Sequence, residues 1–182
     1  MIKKYLKIKN FLDESERKLL STTAKVFLRS NKTYFDVGGE KTAANAEMYA
    51  MPVFEALMSE KHKLMEKKTK LTLFPTYSYL RIYNKYSILK EHRDRPSCEY
   101  SCTVFIDSCG TYKWPIYMEK TPIYLNPGDA VIYKGCEVSH SRKEFLGDWQ
   151  AQCFLHYVDA NRPNASFMLD RRKALGEKKS SL

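Results

Sequence analysis

Residues 91–106 read EHRDRPSCEYSCTVFI, with a histidine, three carboxylates and two cysteines ahead of or within an apolar run. His, Asp, Glu and Cys are the side chains that hold metal ions. His92 and Asp94 alternate across Arg93. In an extended strand residues i and i+2 share a face, so both side chains can reach one point. The chain has four histidines, His62, His92, His140 and His156, and His140 stands well downstream, just past the segment DAVIYKG. Two His and one carboxylate leave adjacent positions open on an octahedral ion, which suits non-haem Fe(II). Zinc ordinarily asks for four ligands, or three and a water. The competing account is a strand with a surface His and Asp, because H-x-D recurs by chance.

The neighbouring candidates are weaker. Cys98 and Cys102 sit at i and i+4, but no second pair completes a zinc site, so they read as core thiols. The five cysteines form no C-x-x-C pair, which argues for a reduced set rather than a disulfide framework. His62 lies in the charged stretch KHKLMEKKTK and is expected at the solvent surface. His156, inside FLHYV, reads as a core or pocket-wall residue. Arg95 and Glu99 either orient a ligand or form a plain ion pair. Trp114, Tyr112 and Tyr117 either line a groove or pack in the core.

These residues need elements to position them. YLKIKNFLDESERKLLSTTAKVFLRSN reads as a short strand entering a helix. Asp13 and Glu16 have capping-box spacing, and Leu19, Leu20, Ala24, Phe27 and Leu28 make an apolar stripe. NKTYFDVGGEKTAANA reads as a loop, and a second helix is expected from about Pro52 to Lys68. Beyond it the rhythm changes. LTLFPTYSYLRIY, SILKEH, YSCTVFID, KWPIYME, TPIYLN, DAVIYKG and AQCFLHYVD are short, β-branched and aromatic segments. So many short strands imply a sandwich or barrel with both helices against one sheet. The last twenty or so residues are expected to be polar and frayed or helical.

With 182 residues and a 43% hydrophobic content, the chain is long enough for one domain with a real core. No run approaches the roughly 20 apolar residues of a membrane span. The basic N-terminal stretch precedes no signal-type apolar core. The expectation is a soluble, cytoplasmic protein with no membrane partner. The formal charge of +10 is scattered, and no RNA-recognition, zinc-finger or helix-turn-helix signature accompanies it. A solvated basic face accounts for it, with nucleic acid left open as a partner and the oligomeric state not legible.

Three longer stretches carry a resemblance: YSYLRIYNKYSILKEHRDRPSCEYSCTVFID, LNPGDAVIYKGCEVSHSR and GDWQAQCFLHYVDAN. Over about residues 70–160 the chain resembles the Fe(II)/2-oxoglutarate-dependent dioxygenases, in their prolyl-4-hydroxylase-like branch with bacterial and bacteriophage members. NFLDESERKLL is similar to that family's entry helix. The resemblance implies a mostly β protein with a double-stranded β-helix (jelly-roll) core and two N-terminal helices packed on one sheet. It implies a single domain over 1–182, with helical support in 1–69, the jelly roll in 70–160 and a basic tail in 161–182. It further implies Fe(II), 2-oxoglutarate and O2, with ascorbate as an optional reductant. The implied reaction hydroxylates a C–H bond of a peptidyl proline, or of another protein or peptide side chain, releasing succinate and CO2. Carried over, His92, Asp94 and His140 are the iron ligands and catalytic centre, and Tyr83 touches the co-substrate.

The co-substrate anchor departs from the family pattern. The family places an Arg or Lys on the strand after the distal His, where this chain has Trp149 and Gln150. A buried carboxylate still wants a paired charge. Arg142 is the first substitute, two residues past His140 and so on its face if extended; its alternative role is a surface salt bridge with Glu144 or Asp148. Arg81 is the second, on the strand face of Tyr83, and Gln150 or Gln152 could add a neutral hydrogen bond. Two other readings stand beside the enzyme: a cupin-like metal-binding protein without 2-oxoglutarate turnover, and a basic β module that binds nucleic acid.

Overall fold

The structure is a computed structural model that describes residues 2–30 and 46–177. After strand β1 (Tyr5–Ile8) comes helix α1 (Glu14–Ser30). Its start is a reciprocal capping box: Glu16 N–H donates to Asp13 Oδ1, and Asp13 N–H donates to Glu16 Oε2, both at 2.8 Å. Leu20, Ala24 and Phe27 are buried, but Leu19 is 60% exposed. Successive residues are turned by about 100° on a helix, so the stripe that buries Leu20 leaves Leu19 at its edge. Helix α2 (Pro52–Thr69) begins with proline and ends at Lys70 in the left-handed region, whose N–H donates to Glu66 O at 2.8 Å.

The strands that follow are β2 (Ala46–Tyr49, ahead of α2), β3 (Leu73–Asn84), β4 (Leu89–His92), β5 (Tyr100–Ser108), β6 (Ile116–Met118), β7 (Thr121–Ile123), β8 (Ala130–Lys134), β9 (His140–Arg142) and β10 (Trp149–Asp159). They form two antiparallel sheets, ordered β1-β8-β5-β10-β3-β2 and β4-β9-β6-β7. This is the mostly β jelly roll that the sequence led us to expect, with both helices on the outer face of the larger sheet. Phe54 and Met58 of α2 and Leu20 of α1 pack there with Leu80, Ile82, Val104 and Leu155. The inner face of that sheet looks across at the smaller one.

Several expectations shift. β2 and β9 fall outside the segments expected to be strands: β2 is only four residues long and β9 is a polar His-Ser-Arg, so periodicity carries no signal in either. KWPIYME shrinks to three residues and β10 starts two residues earlier than its segment. The loop NKTYFDVGGEKTAANA lies outside the described residues except Ala46, which opens β2. Of the two expectations for the C-terminal stretch, frayed or helical, the helical one holds in part, as a kinked 3-10 segment over Pro163–Arg171. Pro163–Arg171 coils against β3 and β10, and Arg172, 8% exposed, grips Glu55 with two hydrogen bonds of 2.9 and 3.0 Å. A buried bidentate pair of this kind is costly to break from one side. Among the described residues no helix is long and apolar enough to cross a membrane.

Candidate metal centre

His92 ends β4 and His140 opens β9, and the two are direct partners in the register of these antiparallel strands. Directly opposed residues hold their Cβ atoms about 5 Å apart on one face, and the two imidazole centroids here are 4.3 Å apart. Asp94 is not on a strand, contrary to the simple i, i+2 picture. It lies just past β4, where its N–H donates to Gly135 O at 2.9 Å. Its Oδ1 nevertheless stands 3.7 Å from His92 Nε2 and 3.5 Å from His140 Nε2. One ligand atom from each of the three residues lies within 4.8 Å of the others.

The surroundings fit a metal ion at this point. His92 Nδ1 is 2.8 Å from Lys90 O, and His140 Nδ1 is 3.0 Å from Val138 O. A carbonyl only accepts, so both rings carry their proton on Nδ1 and turn a bare Nε2 toward Asp94. Such an outer partner fixes the tautomer and raises ligand basicity. Burial pushes the Asp94 carboxyl up, but the adjoining His140 and His156 rings and the hydrogen bond from Ser101 outweigh it and hold it at about 2. The carboxylate is therefore ionised at neutral pH, as a ligand must be.

Residues that sequence reasoning did not single out brace this centre. Ser101 Oγ donates to Asp94 Oδ2 at 2.9 Å and sits 2.9 Å from His156 Nδ1. Burial, reinforced by the Arg95 charge, holds His156 down at about 4, so it is a neutral ring. Gly135 is needed for close approach: a Cβ there would stand 2.1 Å from Cys98 O and 2.5 Å from Asp94 Oδ2. Tyr133, which burial pushes well above the usual phenol range, brings its hydroxyl to 3.5 Å from His140 Nε2. Nothing in a single sequence marks Ser101 or Gly135, since both act through contacts with residues distant in the chain.

The three ligands open into a cavity of about 350 Å³ between the sheets. Arg81 and Tyr83 line this cavity, whereas Arg142, two residues past His140 on β9, is 2% exposed and is not among its lining residues. The expected surface pairing with Glu144 or Asp148 is not found. Arg142 Nη1 donates to Trp114 O at 2.8 Å and the guanidinium lies 4.7 Å over the Trp114 ring, while Nε and Nη2 are buried without a partner. Burial pushes this group down to about 10, which still leaves it charged at neutral pH. Tyr83 Oη, Gln150 Oε1 and both amide atoms of Gln152 are likewise buried without a hydrogen bond among the described residues. Arg81, by contrast, is engaged by Glu47 at 2.7 Å.

The remaining candidates distribute as follows. Cys102 is core, but Cys98 lines the cavity, with Sγ 3.1 Å from Tyr77 Oη. His156 is in the cavity wall, with its ring centroid 4.6 Å from that of Tyr77. His62 is not simply solvated: its Nε2 is 2.7 Å from Leu73 O. Glu99 accepts from Asp159 N–H at 3.1 Å and Arg95 pairs with Asp170. Trp114 is buried against Tyr83 and Phe145, Tyr117 is half-buried, and Tyr112 is exposed.

The fold is a jelly roll that brings two histidines and one aspartate together beside a cavity. No protein-family model and no curated protein sequence matches the chain. Solved structures do share its fold. The viral collagen prolyl hydroxylase of Paramecium bursaria Chlorella virus-1, in complex with 2-oxoglutarate, superposes with a TM-score of 0.65 at 12% identity, covering 85% of this chain and 95% of that one. A Pseudomonas putida prolyl-4-hydroxylase gives 0.65 at 13% identity over 85% of this chain and 92% of its own. The non-haem α-ketoglutarate-dependent epimerase SnoN of nogalamycin biosynthesis gives 0.72 at 13% identity, over 96% and 86%.

Proposed function

We propose that the chain is an Fe(II)- and 2-oxoglutarate-dependent oxygenase that places one atom of dioxygen on a substrate C–H bond while 2-oxoglutarate becomes succinate and CO2. The observation that carries this reading is Arg142: a buried guanidinium that, among the described residues, meets no carboxylate and leaves two donors without a hydrogen bond, on the same strand as the ligand His140. Leaving such donors unpaired is expensive, and a bound dicarboxylate is the natural partner. Tyr83 and the Gln150 and Gln152 amides supply further polar atoms in the same interior layer. Arg81 is the poorer anchor because Glu47 already neutralises it.

His92, Asp94 and His140 would hold the iron. Bound iron would template 2-oxoglutarate and dioxygen; the protein's part is orientation and exclusion of water. Arg142 orients the far carboxylate of the co-substrate, the Nδ1–H tautomers keep both imidazoles turned inward, and Ser101 steadies Asp94. A peptide or protein side chain is the substrate class we favour, with peptidyl proline the first candidate, because two of the similar structures are named prolyl hydroxylases. The five free thiols suit a reducing cytoplasm.

Anaerobic addition of Fe(II) and 2-oxoglutarate tests this through the visible charge-transfer absorbance of the chelate. The wild type should develop the band, and Arg142→Met should need roughly 100-fold more 2-oxoglutarate, the usual cost of truncating one partner of a buried charge pair. Absence of a band in the wild type sinks the reading, and a larger effect from Arg81→Ala moves the anchor. Succinate release with proline-containing peptides, set against release without substrate, then tests the substrate class.

A further inference from the structure

The rim of the metal cavity is built from cations interleaved with the ligands. Arg93 and Arg95 flank Asp94 and both line the cavity. Arg93 is exposed and pairs with no carboxylate among the described residues. Arg95 is held in place: its guanidinium lies 4.7 Å over the Tyr77 ring, Nε donates to Tyr77 Oη at 3.4 Å, and Nη2 donates to Asp170 Oδ2 at 3.1 Å. Asp170 is itself buried and accepts from Tyr49 Oη at 2.7 Å.

The chain takes an uncommon path to present Asp170. Leu169, Asp170 and Arg171 have φ of 55°, 52° and 64°, three consecutive non-glycine residues in the left-handed region. Such a run is costly for L-residues and persists only where the surroundings over-determine it. Here Asp170 is fastened to Tyr49 and Arg95, and Arg172 to Glu55. The outcome is a cation laid flat on an aromatic ring beside the metal ligands.

The acids near this rim are already engaged. Glu47 is taken by Arg81 and the Tyr79 hydroxyl, Glu91 accepts from Ser139 Oγ, and Asp94 faces the two histidines. A divalent metal at Asp94 would leave the rim strongly positive, and low-dielectric walls focus such a field on an entering ligand.

From this juxtaposition we infer that Arg93 and Arg95 form an oxyanion-reading rim, so that the substrate presents a carboxylate or phosphate group beside the carbon it offers to the metal. The inference rests on the metal centre proposed above. Guanidinium groups suit both oxyanions through paired hydrogen bonds, and Arg93 has its whole fork to give. Arg95, with Nε and Nη2 committed, offers Nη1.

Paramagnetic relaxation by Mn(II) in the iron site tests this without a known substrate. The full chain is loaded with Mn(II), occupancy is followed by electron paramagnetic resonance, and inorganic phosphate (31P) or acetate (13C) is titrated at low ionic strength. Site-specific enhancement should appear for at least one anion, and the larger of the two tells phosphate from carboxylate. Arg93→Gln and Arg95→Gln should each weaken the apparent anion affinity, by about tenfold for the loss of a charge-assisted pair. Arg93→Gln removes an exposed side chain with no ion pair, so its fold is safe. No enhancement in the wild type, or equal enhancement in both variants, overturns the rim. Failure of Mn(II) to bind overturns the rim together with the metal centre. Enhancement without a 2-oxoglutarate band would instead sink the oxygenase reading and leave the rim standing.

Discussion

Ala151, Cys153, Leu155 and Tyr157 point from β10 into the helix-covered core, whereas Gln150, Gln152, Phe154 and His156 point from the same strand into the space between the sheets. The first face is filled: apolar side chains meet α1 and α2, and the Tyr157 hydroxyl donates to Met58 O at 2.7 Å. The second is not. Gln150 Oε1, both Gln152 amide atoms and, on neighbouring strands, Thr103 Oγ1, Tyr83 Oη and two Arg142 nitrogens are buried without partners. One strand thus carries a packed apolar face and, on its other side, polar groups left without partners among the described residues. Buried polar groups left unpaired are rare in native folds and collect where something else is meant to bind.

That contrast can be broken by experiment. The largest effect is expected at the centre itself: Asp94→Ala or His140→Ala should lower Fe(II) affinity by more than about 100-fold, beyond what loss of an outer partner costs. Thermal unfolding of the metal-free protein should barely move, and a large drop would make these residues part of the core. Leu155→Ala is the converse. It should cost about 2–5 kcal/mol in urea unfolding, with Fe(II) affinity of the folded fraction unchanged.

Gly135→Ala should touch both sides. Its Cβ must displace Cys98 O and the Asp94 carboxylate, so metal affinity should fall by about tenfold and stability by about 1–3 kcal/mol; isothermal titration and urea unfolding read the two separately. The smallest effect is expected at Gln152→Leu. Replacing an amide with no partners should leave stability level or raise it by about 1 kcal/mol, while 2-oxoglutarate binding weakens. A destabilisation the size of Leu155→Ala would show that the polar face is packed core after all.

Parts of this were legible in the sequence for local reasons. The capping box at Asp13 and Glu16, the proline at the start of α2 and the β-branched and aromatic runs of β3, β5 and β10 are written in residues a few places apart. His92 and Asp94 announced themselves by type and spacing, and His140 by its isolation. Leu19 misled because helical periodicity resolves a stripe only to within a residue at its edge. β9 escaped because His-Ser-Arg carries no apolar pattern, yet it brings His140 opposite His92 and buries Arg142 on the same strand.

By itself, the sequence determined the two helices, most of the strands and the chemical types available to the site, because those follow from backbone preference and side-chain period over short spans. Only the tertiary structure decided which groups meet. It showed that Asp94 reaches the histidines from a loop braced by Gly135 and Ser101 rather than from a strand. Among the described residues it buried Arg142 without a counter-ion while giving Arg81 one, and it tied Arg95 to Asp170 from the C-terminal coil. Each depends on contacts between residues remote in sequence, whose distances are set by sheet register and packing rather than by the residues' own identities.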